Sequence, residues 1–362
     1  MSYNCFVPNI LIDIVKNNIE HGNEHIEPMS MFLTGVCLIV DISGFTKLSG
    51  TFCNLGKDGI DQLQLATNGY MGKLVDIINE WGGEIIKFAG DAILCVFPCQ
   101  ISKNHESTRS NKSNRIGFDY DDDSIHDHAS LSNVITECID IKADVILCAM
   151  QCAEQLRNIQ TEKLSVHIGM SCGEMCFGIL GGYENYWECL ISGPCIQEIS
   201  SCLDDAPSKH VAISNSCAQI LLKIIHNNPL PPTTTTTNII DSNTTNDTNI
   251  KASLHSSRGN CTISMMPLPS GNYLIQNLNI LCGLQTLPTT RYDRHNHTMD
   301  NNTSLSEVIK QFVPVPIADQ LESGTGLSYL AEIREVTTMF MKVRVSCCSI
   351  SCTYINIALR YF

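Results

Sequence analysis

The stretch Val36-Cys-Leu-Ile-Val-Asp-Ile-Ser-Gly-Phe-Thr46 decides the fold that we expect for this chain. Its first five residues form a short apolar run with several β-branched side chains, which is typical of a buried strand. The run ends at Asp41, and Ser43-Gly44 then turns the chain. The sequence therefore predicts a strand whose carboxyl end carries an acidic side chain in a functional position.

A second acidic residue lies at the tip of a predicted hairpin. The strand-like runs Glu84 to Phe88 and Ala92 to Phe97 are separated by Ala89-Gly90-Asp91, and glycine beside an acid favours a tight turn. If these strands are neighbours of the first one in a single sheet, Asp91 lies close to Asp41 in space.

The remaining apolar patterns predict an α+β fold. The predicted elements are helices at 60–81, 134–156, 195–203 and 215–225, with further strands at 164–170, 174–180, 188–192 and 210–213. Residues near 101–133 are polar and acidic and are interpreted as a surface insertion. The order βαββαβ with extra elements is that of a ferredoxin-like arrangement, in which helices pack on a central, mainly antiparallel sheet.

Composition predicts the other domain boundaries. Residues 1–30 form a lead-in to the predicted domain at 31–225. From 226 to 305 Thr, Asn and Ser dominate, and we expect a flexible linker because so few apolar residues cannot offset the entropy cost of ordering. Apolar patterning returns at 306–343, and residues 344–362 form an unassigned tail.

Charge and cysteine content exclude several classes of protein. A formal net charge of −14 argues against binding to a nucleic-acid backbone, which requires basic surface. The 19 cysteines have no framework spacing and follow no secretory signal peptide, so we expect reduced thiols in a cytoplasmic protein. No uninterrupted apolar run approaches the roughly 18 to 20 residues of a membrane span.

The two acids indicate a site for divalent cations and phosphate. Two close carboxylates repel each other and bind hard cations such as Mg²⁺, which prefer oxygen ligands. The turn after Asp41 offers backbone N–H groups to a polyphosphate. The candidate triphosphate-binding residues are Ser43, Gly44, Phe45, Thr46 and Gly90. The alternative is that Asp41 only ends a strand and that Gly90-Asp91 is ordinary hairpin chemistry.

Two strings of residues, taken together, resemble a known signature. Val40-Asp-Ile-Ser-Gly-Phe-Thr46 and Gly82-Gly-Glu-Ile-Ile-Lys-Phe-Ala-Gly-Asp-Ala92 closely resemble the metal-binding signature of the class III nucleotidyl cyclases. The nearest match is the first catalytic half of the bicarbonate-responsive soluble adenylyl cyclases. The resemblance covers residues 31–225 and reaches 312–343, which look like the start of the second catalytic half of those proteins.

The resemblance implies a reaction and a set of ligands. The chain would supply one adenylyl cyclase half for converting ATP to 3′,5′-cyclic AMP and pyrophosphate, with Asp41 and Asp91 as catalytic residues. These two residues and the carbonyl of Ile42 would hold two Mg²⁺ ions, or Mn²⁺ or Ca²⁺ in their place. Lys87 would line a pocket for the base or for bicarbonate, unless it is a lysine that snorkels from a strand edge. The implied partners are ATP, a second cyclase half and bicarbonate.

Several positions depart from the family pattern. Gln197 and Ser201 stand where the family has the asparagine and arginine that steady the transition state, and Ser200 replaces an arginine that helps to bind bicarbonate. Lys342 falls at the place in the second half that is equivalent to Asp41. These departures imply that activity requires a complementary half. The alternatives are an inactive metal- and nucleotide-binding or dimerising fragment, a guanylyl cyclase, and a diguanylate cyclase or polymerase palm.

Overall fold

A computed structural model of the chain describes residues 3–99, 144–227, 250–256, 259–280, 303–324, 338–344 and 354–360, apart from residues 24, 160 and 162. The contacts divide the chain into two units, Met1–Ala318 and Asp319–Phe362. The predicted acidic insertion at 101–133 and the threonine run at 233–237 lie outside the described residues.

The first four strands form a ferredoxin-like sheet. They are β1 (Met29–Ser43), β2 (Glu84–Ala89), β3 (Ala92–Pro98) and β4 (Ser165–Tyr183). Their order across the sheet is β2-β3-β1-β4, and each neighbouring pair is antiparallel. Each helical connection therefore crosses over one intervening strand, as in the split βαβ fold. The predicted α+β class with a mainly antiparallel sheet is confirmed.

The first unit also contains helices before and between its strands. They are α1 (Asn9–Glu20), α2 (Phe45–Cys53), α3 (Lys57–Glu80), α4 (residues 144–158), α5 (Pro194–Asp205) and α6 (Asn215–Asn227). The helices predicted at 60–81, 195–203 and 215–225 are confirmed with small changes of boundary, whereas α1 and α2 were not predicted. Among the helices that the structure describes, none combines the length and apolar character needed to cross a bilayer.

The side chains of β1 alternate between two packed faces of the sheet. The even-numbered ones enter the main hydrophobic core, which α3, α4 and α6 complete. They are Val36, Leu38, Val40 and Ile42. On the other face Cys37 packs with Cys195 and Ile199 of α5. Asp41 shares this second face but lies beyond that apolar cluster, at the end of the strand, where a ligand can reach it.

β4 is one continuous strand, although the sequence predicted two strands joined by a turn. It pairs with all 15 residues of β1, from Met29 opposite Ile179 to Ser43 opposite Ser165. The predicted turn, Ser171-Cys-Gly173, lies inside this ladder. Hydrogen bonds from the long partner strand keep these residues extended, and local sequence does not reveal such a partner. The predicted strand at 188–192 is confirmed as β5 (Tyr186–Ser192), which pairs with β4.

Three strands lie in the stretch that was predicted to be a flexible linker. They are β7 (Ile250–Ser256), β8 (Gly259–Pro267) and β9 (Tyr273–Ile280). β6 (Val211–Ile213) pairs in parallel with β4 and in antiparallel fashion with β9, so the new strands extend the same sheet. The linker prediction is therefore wrong for these residues of the 226–305 stretch.

The physical reason is the strand period of two. In β8, Ile263 and Met265 are buried, whereas their neighbours Thr262 and Ser264 are only partly buried. Ile275 of β9 is buried in the same core. Every second residue suffices to cover one face of a sheet. Composition averaged over the whole stretch hides that alternation, because the outward positions are the Thr, Asn and Ser that dominate the average.

Two helices near the predicted start of a second half complete the first unit instead. They are α7 (Thr303–Lys310) and α8 (Val315–Ser323). All of α7 and the part of α8 up to Ala318 belong to the first unit. α7 and α1 share one buried cluster, which includes Leu11, Ile12, Leu305, Val308 and Ile309. The boundaries predicted after residues 30 and 305 are therefore wrong for this part of the chain, because α1 and α7 bury each other's apolar faces.

The second unit contains one described hairpin. β10 (Thr338–Arg344) pairs in antiparallel fashion with β11 (Tyr354–Arg360), and Lys342 lies opposite Asn356. A strand at this place agrees with the apolar run that the sequence showed up to Val343. That this strand begins a second cyclase half stays a prediction.

Candidate active site

The structure places Asp41 and Asp91 side by side. Asp41 of β1 pairs with Ala92 of β3, and Asp91 is the residue just before Ala92. Their proximity has an electrostatic consequence, since the charge of Asp91 contributes to raising the pKa of Asp41. The two acids that the sequence singled out are therefore neighbours.

The position of Asp91 depends on a tight turn. Ala89 pairs with Ala92, which leaves Gly90 and Asp91 as a two-residue connection between β2 and β3. Gly90 has a φ of +70°, in the left-handed region that glycine adopts without strain. The predicted hairpin is thus confirmed, and its tip presents Asp91 beside the end of β1.

Burial and charge act together on the Asp41 carboxyl. Burial is the largest cause of its raised pKa, the negative charge of Asp91 raises the pKa further, and His167 lowers it. An ionised Asp41 is therefore poorly solvated and repelled by its neighbour. A divalent cation between the two carboxylates would relieve both effects, which is the usual chemistry of such pairs.

His167 is a residue that the sequence reasoning missed. It lies on β4 directly opposite Asp41, with its Nε2 atom 3.5 Å from Asp41 Oδ2. Its Nδ1 atom is 2.9 Å from the hydroxyl oxygen of Ser43. Only the strand register brings these groups together, so no local sequence signal identifies the histidine.

The turn after β1 leads directly into α2. Gly44 has a φ of +94°, and a Cβ atom at this position would lie 2.4 Å from the carbonyl oxygen of Lys163. Glycine has no side chain with which to cap α2, which begins at Phe45. The backbone N–H groups of the first helical turn, at Phe45 and Thr46 among others, are therefore suited to an anion placed beside Asp41.

Lys87 lies on the same sheet face as Asp41 but closer to β5. It pairs with Leu94, which pairs with Ile39. Its ammonium nitrogen is 3.5 Å from Glu188 Oε2, and the two side chains are 54% and 71% exposed. An ion pair this exposed contributes little stability, so the lysine is free to exchange its partner.

Three of the positions singled out in the sequence, Gln197, Ser200 and Ser201, lie on α5. Gln197 is exposed. Ser201 accepts a 2.9 Å hydrogen bond from Nδ2 of Asn272, which also donates to Asp205 at 2.7 Å. Asn272 comes just before β9, so the added strands hold the end of α5 through Ser201 and Asp205.

The described residues limit the donors available to a metal. Within the described ranges, no group of three or more His, Cys, Asp or Glu side chains is arranged to hold an ion. Asp41 and Asp91 form a two-carboxylate set, and backbone carbonyls, water and phosphate would have to complete the coordination. This donor set fits Mg²⁺, which is commonly bound by one or two carboxylates together with substrate phosphates.

Sequence comparison supplies relatives for this arrangement. Human adenylate cyclase type 10 is 22% identical over 321 residues, which cover 87% of this chain and 16% of the human protein. The rat protein of the same name is 26% identical over 192 residues, covering 51% of this chain and 10% of the rat protein. The chain is similar to adenylate cyclase type 10. The resemblance predicted from the sequence is thus confirmed, although the chain spans only a small part of the length of these adenylate cyclases. No model of a protein family matches it.

Solved cyclase structures are also similar to the chain. The catalytic core of a rhodopsin–guanylyl cyclase in complex with ATPαS is 16% identical and covers 69% of this chain and 98% of its own, with a TM-score of 0.37. The adenylyl cyclase CyaB from P. aeruginosa is 14% identical and covers 72% of this chain and 100% of its own, also with a TM-score of 0.37.

Proposed function

We propose that the first unit provides one half of a nucleotidyl cyclase active site, which converts ATP to 3′,5′-cyclic AMP and pyrophosphate once a second catalytic half completes it. The observation that carries the proposal is the pairing of Asp41 with Ala92, which sets Asp41 beside Asp91 and next to the N-terminus of α2. Two carboxylates and a helix N-terminus together suit a triphosphate with its metal ions.

Each residue of the site has a proposed part in binding. Asp41, Asp91 and the carbonyl of Ile42 would hold two Mg²⁺ ions, for which Mn²⁺ or Ca²⁺ could substitute. When bound, the metals would activate the ribose 3′-hydroxyl and neutralise charge on the phosphates. The backbone from Ser43 to Thr46, together with Gly90, would bind the triphosphate oxygens. Catalysis would then consist mainly of positioning and charge stabilisation.

A complementary half is part of the proposal because α5 lacks the groups that would steady the transition state. Gln197 is an amide, Ser201 is a hydroxyl, and the Ser201 hydroxyl is already bonded to Asn272. A second copy of the same surface would therefore not supply an arginine. The partner must bring both that cation and the groups that select the base.

Lys87 is the proposed cation of a second pocket on this face. Its exposed ion pair with Glu188 leaves the ammonium group accessible to the base or to bicarbonate. Ser200 in place of an arginine weakens the case for bicarbonate.

We also place the protein in the cytoplasm, because the cysteines that the structure describes are free thiols.

The test is production of cyclic AMP from Mn²⁺–ATP by the purified chain, alone and mixed with the second catalytic half of an adenylate cyclase type 10. We expect activity only in the mixture. Asp41→Asn should abolish it, whereas Asp61→Asn, which changes an exposed acid on α3, should leave it unchanged. Running the same mixtures with Mn²⁺–GTP tests whether the assembled site also accepts guanine, a choice that the proposal assigns to the added half.

A binding protein without activity is the second candidate, and the substitutions on α5 favour it. In that case the chain binds Mn²⁺–ATP in an Asp41-dependent way, but no mixture yields a cyclic nucleotide. That result would contradict the proposed activity and leave the proposed metal site intact.

A further inference from the structure

Three polar side chains form a connected chain across β1 and β4. Asp41 and Ser43 lie two residues apart on one face of β1, and His167 of β4 lies opposite Asp41. The imidazole contacts both of them, with Ser43 Oγ 2.9 Å from Nδ1 and Asp41 Oδ2 3.5 Å from Nε2. His167 is largely shielded from solvent, with 22% of its side chain exposed.

The contact with Ser43 is compatible with the tautomer of histidine that carries its proton on Nε2. A hydroxyl can donate to Nδ1, and the ring proton then resides on Nε2. The Nε2–H group in turn faces the Asp41 carboxylate. The imidazole therefore lies between the Ser43 hydroxyl and the Asp41 carboxylate, with one ring nitrogen toward each.

This arrangement restricts the Asp41 carboxylate. Its Oδ2 atom is engaged by the imidazole, and the backbone N–H of Ile42 also donates to the carboxylate. Asp91 acts on the same carboxylate through its charge, so a cation shared by the two acids would meet an Asp41 side chain that already has these contacts. Since β1 and β4 are paired along the whole of β1, the scaffold that carries these groups is rigid.

We propose that His167 is a positioning residue for the metal site: fixed by Ser43, it orients the Asp41 carboxylate so that the site binds divalent cations tightly. The inference rests on the metal site of the proposed function. It adds a residue that touches neither metal nor nucleotide and acts only through Asp41. Groups that hydrogen-bond to a metal ligand typically change metal affinity by roughly 10- to 100-fold when they are removed.

The experiment measures binding of Mn²⁺ alone to the full chain by electron paramagnetic resonance, because free and bound Mn²⁺ give different signals. His167→Leu should weaken Mn²⁺ affinity roughly 10- to 100-fold. His167→Gln retains an N–H donor near the place of Nε2 and should restore most of the affinity. His21→Leu, which changes an exposed histidine at the end of α1, is the matched control and should bind like the unmodified chain.

A second variant guards against loss of folding. Ser43→Ala removes the hydroxyl that contacts Nδ1 without altering the strand pairing, and it should weaken Mn²⁺ binding less than His167→Leu does. Spin-echo spectra of the bound Mn²⁺ add a direct signature. We expect no nitrogen coupling from a coordinated imidazole, because His167 acts through Asp41.

The outcomes separate this inference from the proposed function. Unchanged Mn²⁺ affinity in folded His167→Leu, or no recovery in His167→Gln, would overturn the positioning role. Nitrogen coupling would overturn it too, by making His167 a metal ligand, and so would a chain that binds no Mn²⁺. If binding follows the expected pattern but no mixture produces cyclic AMP, the positioning role stands and the cyclase activity does not.

Discussion

At the residue scale, glycines set the backbone at positions where a side chain would collide. A Cβ atom on Gly169 of β4 would lie 2.7 Å from the backbone nitrogen of Leu203, so α5 can pack on the strand only because this residue has none. Gly44 combines such a close approach with a left-handed φ of +94°. The turn that separates Asp41 from α2 therefore depends on this one residue.

We predict that Gly44→Ala destabilises the chain and weakens Mn²⁺ binding. A left-handed backbone costs a residue with a side chain about 1–3 kcal/mol, and the contact with the Lys163 carbonyl adds to this. Urea unfolding measures the loss of stability. The matched control is Gly50→Ala in α2, where nothing lies within 4 Å of the added Cβ atom. Equal stability of the two variants would contradict the structural account.

At the element scale, α7 links distant parts of the chain. Ile309 of α7 is fully buried in the cluster that includes Leu11 and Trp187. The backbone N–H of Trp187 in β5 also donates to the carbonyl of Gln311, at 3.1 Å. An element that composition assigned to the border of a linker thus helps to cover one face of the sheet that carries the candidate site.

We predict that Ile309→Ala costs about 2–5 kcal/mol, the usual range for truncating a fully buried aliphatic side chain. Equilibrium unfolding in urea, followed by tryptophan fluorescence, gives the value, since Trp187 lies in the same cluster. Glu307→Ala, at an exposed position of the same helix, should change stability little. If both variants unfolded at the same urea concentration, α7 would not be part of the packed unit.

At the scale of the whole molecule, the sheet continues well past the predicted end of the domain. β6 has only three residues, and all of them are buried between β4 and β9. Without β9, this short strand becomes an exposed edge. The main core also takes Ile263 and Met265 from β8 and Ile275 from β9, and each such side chain contributes about 1.5–3 kcal/mol when buried.

We predict that a fragment of residues 1–324 unfolds cooperatively, whereas a fragment of residues 1–225 aggregates or lacks a cooperative transition. The shorter fragment loses β7–β9 and α7. It therefore loses the antiparallel partner of β6, part of the main core, and part of the cluster that α1 and α7 share. Circular dichroism during heating, with light scattering to detect aggregates, compares the two. If fragment 1–225 showed the same transition as fragment 1–324, the domain would end at residue 225, as the composition predicted.

The sequence by itself determined the elements whose signals are local. The apolar run that ends at Asp41, the Gly90-Asp91 turn and the helical period from Ile60 to Trp81 each lie within one element, and the structure confirms all three. Because the two acids stood on a strand end and a hairpin tip of a recognisable βαββ order, their proximity could also be predicted.

Only the tertiary structure decided the features that depend on strand register and remote partners. β4 is continuous because β1 pairs with it throughout, and β7–β9 are ordered because β6 offers an edge and the core accepts every second side chain. His167 faces Asp41 through that same register. The physical reason is that a strand obtains its hydrogen bonds and half of its burial from residues far away in sequence, so a local pattern does not contain them.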